Sequence, residues 1–187
     1  MQIAVVIPAY KVKEFILDVI SQVPENVAAI YVVDDACPQQ SGKLVQEKCA
    51  DPRVRVIHQE KNSGVGGATI RGIQHAFEEG NEIVVKIDGD GQMDPKLLPK
   101  FVKPILDGKA DYSKGNRFHS PANLRSMPGT RLFGNAVLSF FSKATTGYWN
   151  IMDPTNGYFA LHTSLVPALE LDKLAPRYFF ENDMLFR

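Results

Sequence analysis

The sequence predicts an α/β protein with a Rossmann-like, mostly parallel β-sheet flanked by helices. The main observation is a regular alternation of short apolar runs with amphipathic stretches, which is the β-α-β-α pattern of such sheets. A second observation is that polar or acidic residues directly follow three of the apolar runs. Right-handed crossovers place the carboxyl ends of parallel strands at one edge, and ligands bind outside that edge. We therefore expect the binding site there.

Length and composition are those of one ordinary globular domain. The chain has 187 residues, of which 44% are hydrophobic and 22% are charged, and the formal net charge is zero. A zero net charge gives no general electrostatic reason to expect nucleic acid as a partner. The two cysteines fit no metal-binding spacing and are too few for a disulfide framework, which favours a reducing cytosol. No apolar run approaches the roughly 18 residues that a membrane-spanning helix needs.

The elements can be placed in order from their apolar spacing. Strands are predicted at residues 3–7, 29–33, 54–58 and 83–87, separated by helices near 15–20, 41–49, 64–77 and 97–106. Beyond residue 110 the pattern predicts a strand at 110–116, a flap-like loop at 118–130, a helix at 131–145 and a strand at 158–162. A last helix near the end has Asn182 as its candidate cap. The chain stops at Arg187 inside this helix, which leaves open that it is the soluble part of a longer protein.

Two carboxylates leave the fourth strand one residue apart, in the run Asp88-Gly89-Asp90. If the chain stays extended there, the side chains of Asp88 and Asp90 point the same way. Two like charges on one face need a cation between them, and Mg²⁺ that carries substrate phosphates typically uses one or two protein carboxylates. The alternative is a polar β-turn, because Asp and Gly are the commonest turn residues.

Two further features belong to the same predicted edge. Asp34 and Asp35 end the second strand, where a carboxylate could accept hydrogen bonds from a nucleotide base or ribose, or could be a turn residue. The run Gly64-Val65-Gly66-Gly67 fits neither the dinucleotide-binding nor the P-loop pattern. It predicts a tight turn into a helix, either beside a bound anion or for packing alone.

Charged residues later in the chain are candidates for phosphate binding and proton transfer. Arg117, Arg125 and Arg131 lie around the predicted flap, and a guanidinium suits phosphate better than an ammonium does. A transfer reaction can also need a general base near the acceptor. The sequence alone does not rank the three late acids that could serve: Asp153, Glu181 and Asp183.

Taken together, these stretches resemble glycosyltransferase family 2, which has the GT-A fold, and within it the polyprenol-phosphate sugar transferases. The resemblance runs along essentially the whole chain, and its pieces are specific only as an ordered set. They are Val6-Ile7-Pro8-Ala9-Tyr10, Val32-Val33-Asp34-Asp35, residues 62–68, residues 88–95, residues 153–158 and Glu181-Asn182-Asp183.

The resemblance implies an inverting transfer from a UDP- or GDP-sugar, with Mg²⁺ or Mn²⁺ on the diphosphate. Asp90 matches the direct metal ligand, and Asp88 matches a sugar, ribose or metal contact. Gln92 matches a glutamine that assists there. Pro8, Ala9, Tyr10 and Asp35 match the family's nucleotide pocket. Asp34 and Gly67, which are candidates from the residue patterns, complete the predicted donor-binding residues.

On the acceptor side, Arg117 and Arg131 match arginines that hold a lipid phosphate. Such an acceptor is already an anion, so it needs charge neutralisation more than deprotonation. Asp153 matches an acid that serves as base or metal partner, and Asp183 matches the usual base position. The predicted organisation is one domain over residues 1–187, with a donor-binding half at 1–115 and an acceptor-binding half at 116–187.

We therefore expect an enzyme that loads a sugar onto a polyprenyl phosphate at the cytoplasmic face of a membrane, in peripheral contact with it, for cell-envelope polysaccharide biosynthesis. Three alternatives stay open: a saccharide hydroxyl as acceptor, a sugar nucleotidyltransferase, and a non-catalytic nucleotide-sugar-binding domain. A nucleotidyltransferase would carry a Gly-rich basic loop after the first strand, where this sequence has Pro8-Ala9-Tyr10.

Overall fold

The structure is a computed structural model that describes residues 1–116 and 153–186, together with positions 134, 137, 139–141, 143, 144, 147 and 149. Within these residues, six strands form one sheet in the order β3-β2-β1-β4-β6-β5. The strands are β1 (Ile3–Ala9), β2 (Ala29–Asp34), β3 (Val54–His58), β4 (Ile83–Lys86), β5 (Tyr112–Lys114) and β6 (Phe159–His162).

The sheet is mostly parallel, as predicted. β1 pairs in parallel with β2 and β4, and β2 pairs in parallel with β3. β6 lies antiparallel between β4 and β5, so β5 has the same direction as β4. Of the six described strands, β6 is therefore the one that is reversed.

Helices cover both faces of this sheet. They are α1 (Ile16–Ser21), α2 (Ser41–Lys48), α3 (Gly64–Glu78), α4 (Leu98–Leu106) and α5 (Phe180–Phe186), and a 3₁₀ turn at Pro95–Leu97 leads into α4. The alternation of the strands divides the core. Ile3, Val5 and Ile7 pack with the apolar faces of α1, α2 and α4. Ala4 and Val6 pack on the other face with α3 and α5.

Most predicted elements agree with the structure to within a few residues. One detail is wrong: α5 begins at Phe180, so Asn182 lies inside the helix and does not cap it. The predicted flap at 118–130 and most of the predicted helix at 131–145 lie outside the described residues. The division into a donor half and an acceptor half stays a prediction. In the described ranges, no helix combines the length and apolar character that crossing a bilayer requires.

The topology brings distant parts of the chain to one edge. Register pairs Ala9 at the end of β1 with Asp34 at the end of β2, and Lys86 at the end of β4 with Phe159 at the start of β6. Because β6 is reversed, the residues just before it reach the same edge as the residues just after β1, β2 and β4.

Candidate active site

A cleft with a volume of about 1150 Å³ lies at this carboxyl edge of the sheet. Its walls come from the ends of β1, β2 and β4, the first turn of α3, the residues before β6 and the start of α5. Seven of the predicted donor or metal contacts line it, and that they bind such ligands stays a prediction: Pro8, Ala9, Tyr10, Asp35, Asp88, Asp90 and Gln92.

Asp34 lies at this edge of the sheet, but its carboxylate accepts hydrogen bonds from the backbone. Its two oxygens accept hydrogen bonds from the N–H groups of Cys37 (2.7 Å) and Gly42 (2.6 Å), and the residue is only 4% exposed. Gly42 belongs to the first turn of α2, where backbone N–H groups have no partner within the helix. Asp34 is not among the described residues that line the cleft, so the geometry gives it a structural role and does not favour the predicted donor contact.

Asp35 does line the cleft, and it also anchors α3. Its carboxylate accepts from the N–H groups of Ser63 (2.7 Å) and Gly64 (2.8 Å), from the Ser63 hydroxyl (3.0 Å) and from the Gln59 amide (3.1 Å). It is 2% exposed. A ligand that bonds to Asp35 would meet a carboxylate already fixed in orientation.

The glycines at the start of α3 allow a close approach of the later chain. Gly64 has φ +86°, which L side chains rarely adopt, and a Cβ there would lie 2.7 Å from the Pro176 carbonyl oxygen. A Cβ on Gly66 would lie 2.6 Å from the Phe180 Cβ. The Gly67 N–H donates to the Pro176 carbonyl at 2.9 Å. Packing therefore accounts for these glycines, and Gly67, a predicted donor contact, is not among the described residues of the cleft wall.

A buried lysine connects the exit of β4 with the start of α5. The Lys86 Nζ lies 2.6 Å from Asp88 Oδ1 and 3.6 Å from Glu181 Oε1. Lys86 is 1% exposed, and all three side chains line the cleft. Sequence reasoning passed over Lys86, although a charged residue in an otherwise apolar strand signals a buried partner.

Asp90 has a different environment. β4 ends at Lys86 and residues 89–90 form a turn, so the chain is not extended from Asp88 to Asp90, and the alternation expected for an extended chain is wrong. Asp90 Oδ1 accepts the Gln92 N–H at 3.0 Å. In the part of the chain that the structure describes, no lysine or arginine pairs with Asp90. The stretch is thus a turn that presents a carboxylate to the cleft.

The late acids separate clearly. Glu181 lines the cleft, whereas the predicted base Asp183 accepts the Ala175 N–H at 2.7 Å and is not among its lining residues. Asp153 is buried, and its carboxylate accepts from the Asn156 amide at 3.2 Å. The structure therefore brings one of the three, Glu181, to the cleft, and the chain run Glu181-Asn182-Asp183 gave no sign of which acid that would be.

The predicted phosphate-binding residues Arg117 and Arg131 lie outside the described residues. A cation that the sequence reasoning did not consider, Arg177, lines the cleft beside the first turn of α3. Two aromatic rings also line the cleft: Tyr158 stacks on Phe101 with 3.9 Å between ring centroids and donates its hydroxyl to the Asp94 carbonyl at 3.2 Å. Burial, with Asp94 nearby, raises the pKa of Tyr158, so its phenol stays protonated.

A divalent cation fits this cleft through Asp90. That carboxylate has one oxygen on a backbone N–H and carries no cation partner among the described residues. The described residues hold no cluster of three or more His, Cys, Asp or Glu side chains that could cage a metal. Mg²⁺ usually takes one or two carboxylates from protein and the rest of its oxygens from water and phosphates.

The fold is that of a glycosyltransferase. A model of "Glycosyl transferase family 2" matches residues 4–169, and the chain belongs to this family. The predictions of a GT-A fold and of a hexosyltransferase enzyme are confirmed.

Among its relatives are two enzymes named for lipid-phosphate acceptors. A UDP-N-acetylglucosamine–dolichyl-phosphate N-acetylglucosaminyltransferase of Methanococcus voltae is 32% identical over 94% of this chain and 75% of its own. An undecaprenyl-phosphate mannosyltransferase of Micrococcus luteus is 30% identical over 100% of this chain and 77% of its own.

A solved structure with the same fold is glucosyl-3-phosphoglycerate synthase from Mycobacterium tuberculosis, in complex with Mn²⁺, UDP and glucosyl-3-phosphoglycerate. It superposes with a TM-score of 0.74 at 22% identity. The match covers 98% of this chain and 63% of that one, so the chain spans under two thirds of that enzyme's length. At this identity the likeness concerns the fold.

Proposed function

We propose that this chain transfers a sugar from a nucleotide-diphosphate sugar to a polyprenyl phosphate, with inversion at the anomeric carbon. The observation that carries the proposal is the convergence of Asp35, Asp88 and Asp90 on one cleft. These carboxylates form two corners of the cleft, one on either side of β1. The corner after β2, at Asp35, suits a nucleoside, and the corner after β4, at Asp88 and Asp90, suits a cation with its diphosphate.

We assign binding of the donor's nucleoside to the corner after β2. Asp35 is fixed by the first turn of α3; Pro8 and Ala9 end β1 and Tyr10 follows it, and all three line the same cleft. Arg177, next to the same helical turn, is placed to meet diphosphate or acceptor phosphate charge. A Mg²⁺ or Mn²⁺ ion at Asp90 would neutralise the diphosphate as leaving group.

The acceptor assignment rests on the named relatives and on the chemistry. In the transfer, a phosphate oxygen of the acceptor bonds to the anomeric carbon while the bond from that carbon to the diphosphate oxygen breaks. The acceptor is already ionised, so this step releases no proton and needs no general base. Arg117 and Arg131 remain the proposed ligands of the acceptor phosphate. Because a polyprenyl acceptor lies in a membrane, we also propose peripheral contact with a membrane, at its cytoplasmic face.

The first experiment is a thermal-shift screen of UDP- and GDP-sugars with and without Mn²⁺, because a ligand that binds only the native state raises its stability. The donor so identified, labelled in its sugar, is then incubated with polyprenyl phosphate or with free glycans. Transfer to the lipid phosphate that requires Mn²⁺ or Mg²⁺ is the expected result. Asp90→Asn should abolish the metal-dependent shift, and Asp107→Asn, outside the cleft, should leave it unchanged. Unaltered binding by Asp90→Asn would remove the mechanism.

One observation favours a saccharide hydroxyl as the acceptor instead. Glu181 lies in the cleft, and a carboxylate there could take the proton of a hydroxyl acceptor. The two acceptors predict different behaviour for Glu181→Gln. With a hydroxyl acceptor, kcat should fall by about 10²–10⁴-fold; with a phosphate acceptor the loss should be much smaller.

A further inference from the structure

The ammonium group of Lys86 occupies a position that the mechanism above does not use. It lies between two carboxylates that reach the cleft from different elements, Asp88 after β4 and Glu181 on α5. Lys86 and Asp88 are two positions apart at the strand end, and Lys86 is 1% exposed. A lysine is almost never this buried unless it is paired, so the contact is an essential part of the cleft floor.

The backbone at Gly157 lies so close to this ammonium that no side chain fits between them. Gly157 comes just before β6, and a Cβ on it would lie 2.5 Å from Lys86 Nζ, 3.2 Å from Asp88 Oδ2 and 3.3 Å from Glu181 Oε1. Gly157 therefore faces the whole trio. Asp88 Oδ1 lies against the ammonium, Asp88 Oδ2 lies on the side of Gly157, and 29% of the Asp88 side chain is exposed.

We infer that Lys86 is a positioning residue which keeps the Asp88 carboxylate paired on the cleft floor and outside the coordination sphere of the metal, so that Asp90 is the carboxylate that binds the ion. This inference deepens the proposed function and rests on its metal dependence. It also assigns Glu181 a second task, because its carboxylate helps to hold the ammonium in place.

The physical argument concerns charge competition. A divalent ion bound to Asp88 Oδ1 would have to displace an ammonium that lies 2.6 Å from that oxygen, or sit beside it as a like charge. The ammonium is buried, whereas 29% of the Asp88 side chain is exposed, so solvent and salt screen the repulsion less than they would between two fully exposed charges. Asp90 lacks any such competitor among the described residues, and one of its oxygens is free of protein hydrogen bonds in that set.

The test measures Mn²⁺ binding directly, by titrating Mn²⁺ into the protein and following the EPR signal of the free ion. Asp90→Asn should weaken Mn²⁺ binding at least tenfold, whereas Asp88→Asn should leave it within about twofold of the wild type. Lys86→Met should strengthen it several-fold, because Asp88 becomes available. In the double variant Lys86→Met/Asp88→Asn that gain should disappear.

The double variant separates a released ligand from a simple change in charge. Lys103→Met, which removes an exposed ammonium from α4, is the control for losing one positive charge. If Lys86→Met does not fold, Asp88→Asn and Asp90→Asn still keep the inference falsifiable, because equal losses of Mn²⁺ affinity in the two variants would contradict it.

Three results would overturn the inference and leave the proposed function standing: equal losses of Mn²⁺ affinity in Asp88→Asn and Asp90→Asn, no gain in folded Lys86→Met, or a gain that survives in Lys86→Met/Asp88→Asn. Failure of the wild-type protein to bind Mn²⁺ at all, or unchanged binding by Asp90→Asn, would contradict the proposed metal dependence itself.

Discussion

Two acidic strand ends flank β1, and they use their carboxylates in opposite ways. At the end of β2, Asp34 and Asp35 accept backbone N–H groups from the first turn of α2 and from the start of α3. At the exit of β4, Asp88 pairs with a buried ammonium and Asp90 stands in a turn with no cation partner in the described chain. The carboxylates at the end of β2 have their hydrogen-bond partners within the fold. Those at the exit of β4 have such partners only in part.

This difference shows what decides the role of an acidic pair. A carboxylate that accepts two or three backbone N–H groups of a helix start is held for stability, and its orientation is set before any ligand arrives. A carboxylate in a turn keeps an oxygen for a ligand. Mutations at the end of β2 should therefore affect stability most, and mutations at the exit of β4 should affect metal-dependent binding most.

The largest expected effect is on catalysis, at Asp90. Asp90→Asn should lower kcat/KM for sugar transfer by about 10²–10³-fold, the range typical for the loss of one group that stabilises developing charge. Stability should hardly change, because an Asn oxygen can still accept the Gln92 N–H. Transfer assays with labelled donor and urea unfolding of the same protein check both parts. A large loss of stability would show that the β4 exit is a structural corner too.

The next effect is on stability, at Asp34. Asp34→Ala removes two hydrogen bonds to a charged acceptor and leaves the N–H groups of Cys37 and Gly42 without a partner, which should cost about 3 kcal/mol of unfolding free energy. Urea denaturation measures this. Asp107→Ala, at an exposed ion pair, is the control and should show no such change. A stable Asp34→Ala protein that has lost donor binding would instead support the original donor-contact prediction.

A smaller loss is expected where α3 meets the later chain. Gly66→Ala places a Cβ 2.6 Å from the Phe180 Cβ, and overpacking of this kind costs roughly 1–3 kcal/mol. Arg71→Ala, on the exposed side of the same helix, should stay within about 0.5 kcal/mol of the wild type. Equal stabilities of the two variants, measured by thermal or urea unfolding, would mean that the contact between α3 and the start of α5 contributes little.

The smallest effect is expected at Asp183. Asp183→Ala removes the acceptor of the Ala175 N–H and should lower stability by about 1 kcal/mol, with kcat unchanged. If Asp183 is a general base, as the family resemblance implies, kcat would fall by about 10²–10⁴-fold. Rate measurements on folded Asp183→Ala, with Glu181→Gln beside it, decide between these two acids.

Much of the fold could be predicted because it depends on local patterns. Apolar runs and helical spacing located the strands and helices, and the rule that parallel strands end at one edge located the cleft. The features that the sequence could not predict have a common physical cause. Choosing between Glu181 and Asp183 requires the helical phase of α5, and the pairing of Lys86 depends on Gly157 and Glu181, which are distant in sequence. The packing role of Gly67 likewise depends on a residue that is distant in sequence, because its N–H donates to the Pro176 carbonyl.

Because β6 is reversed, the segment that joins β5 to β6 begins and ends at the same edge of the sheet. β5 finishes, and β6 starts, at the rim of the cleft, so the intervening chain both departs from and returns to the surroundings of the ligand. Hydrogen-bond register throughout the sheet is set by residues outside that excursion. The length of the chain between residues 116 and 153 can therefore differ to suit another acceptor while the register of the described strands stays the same.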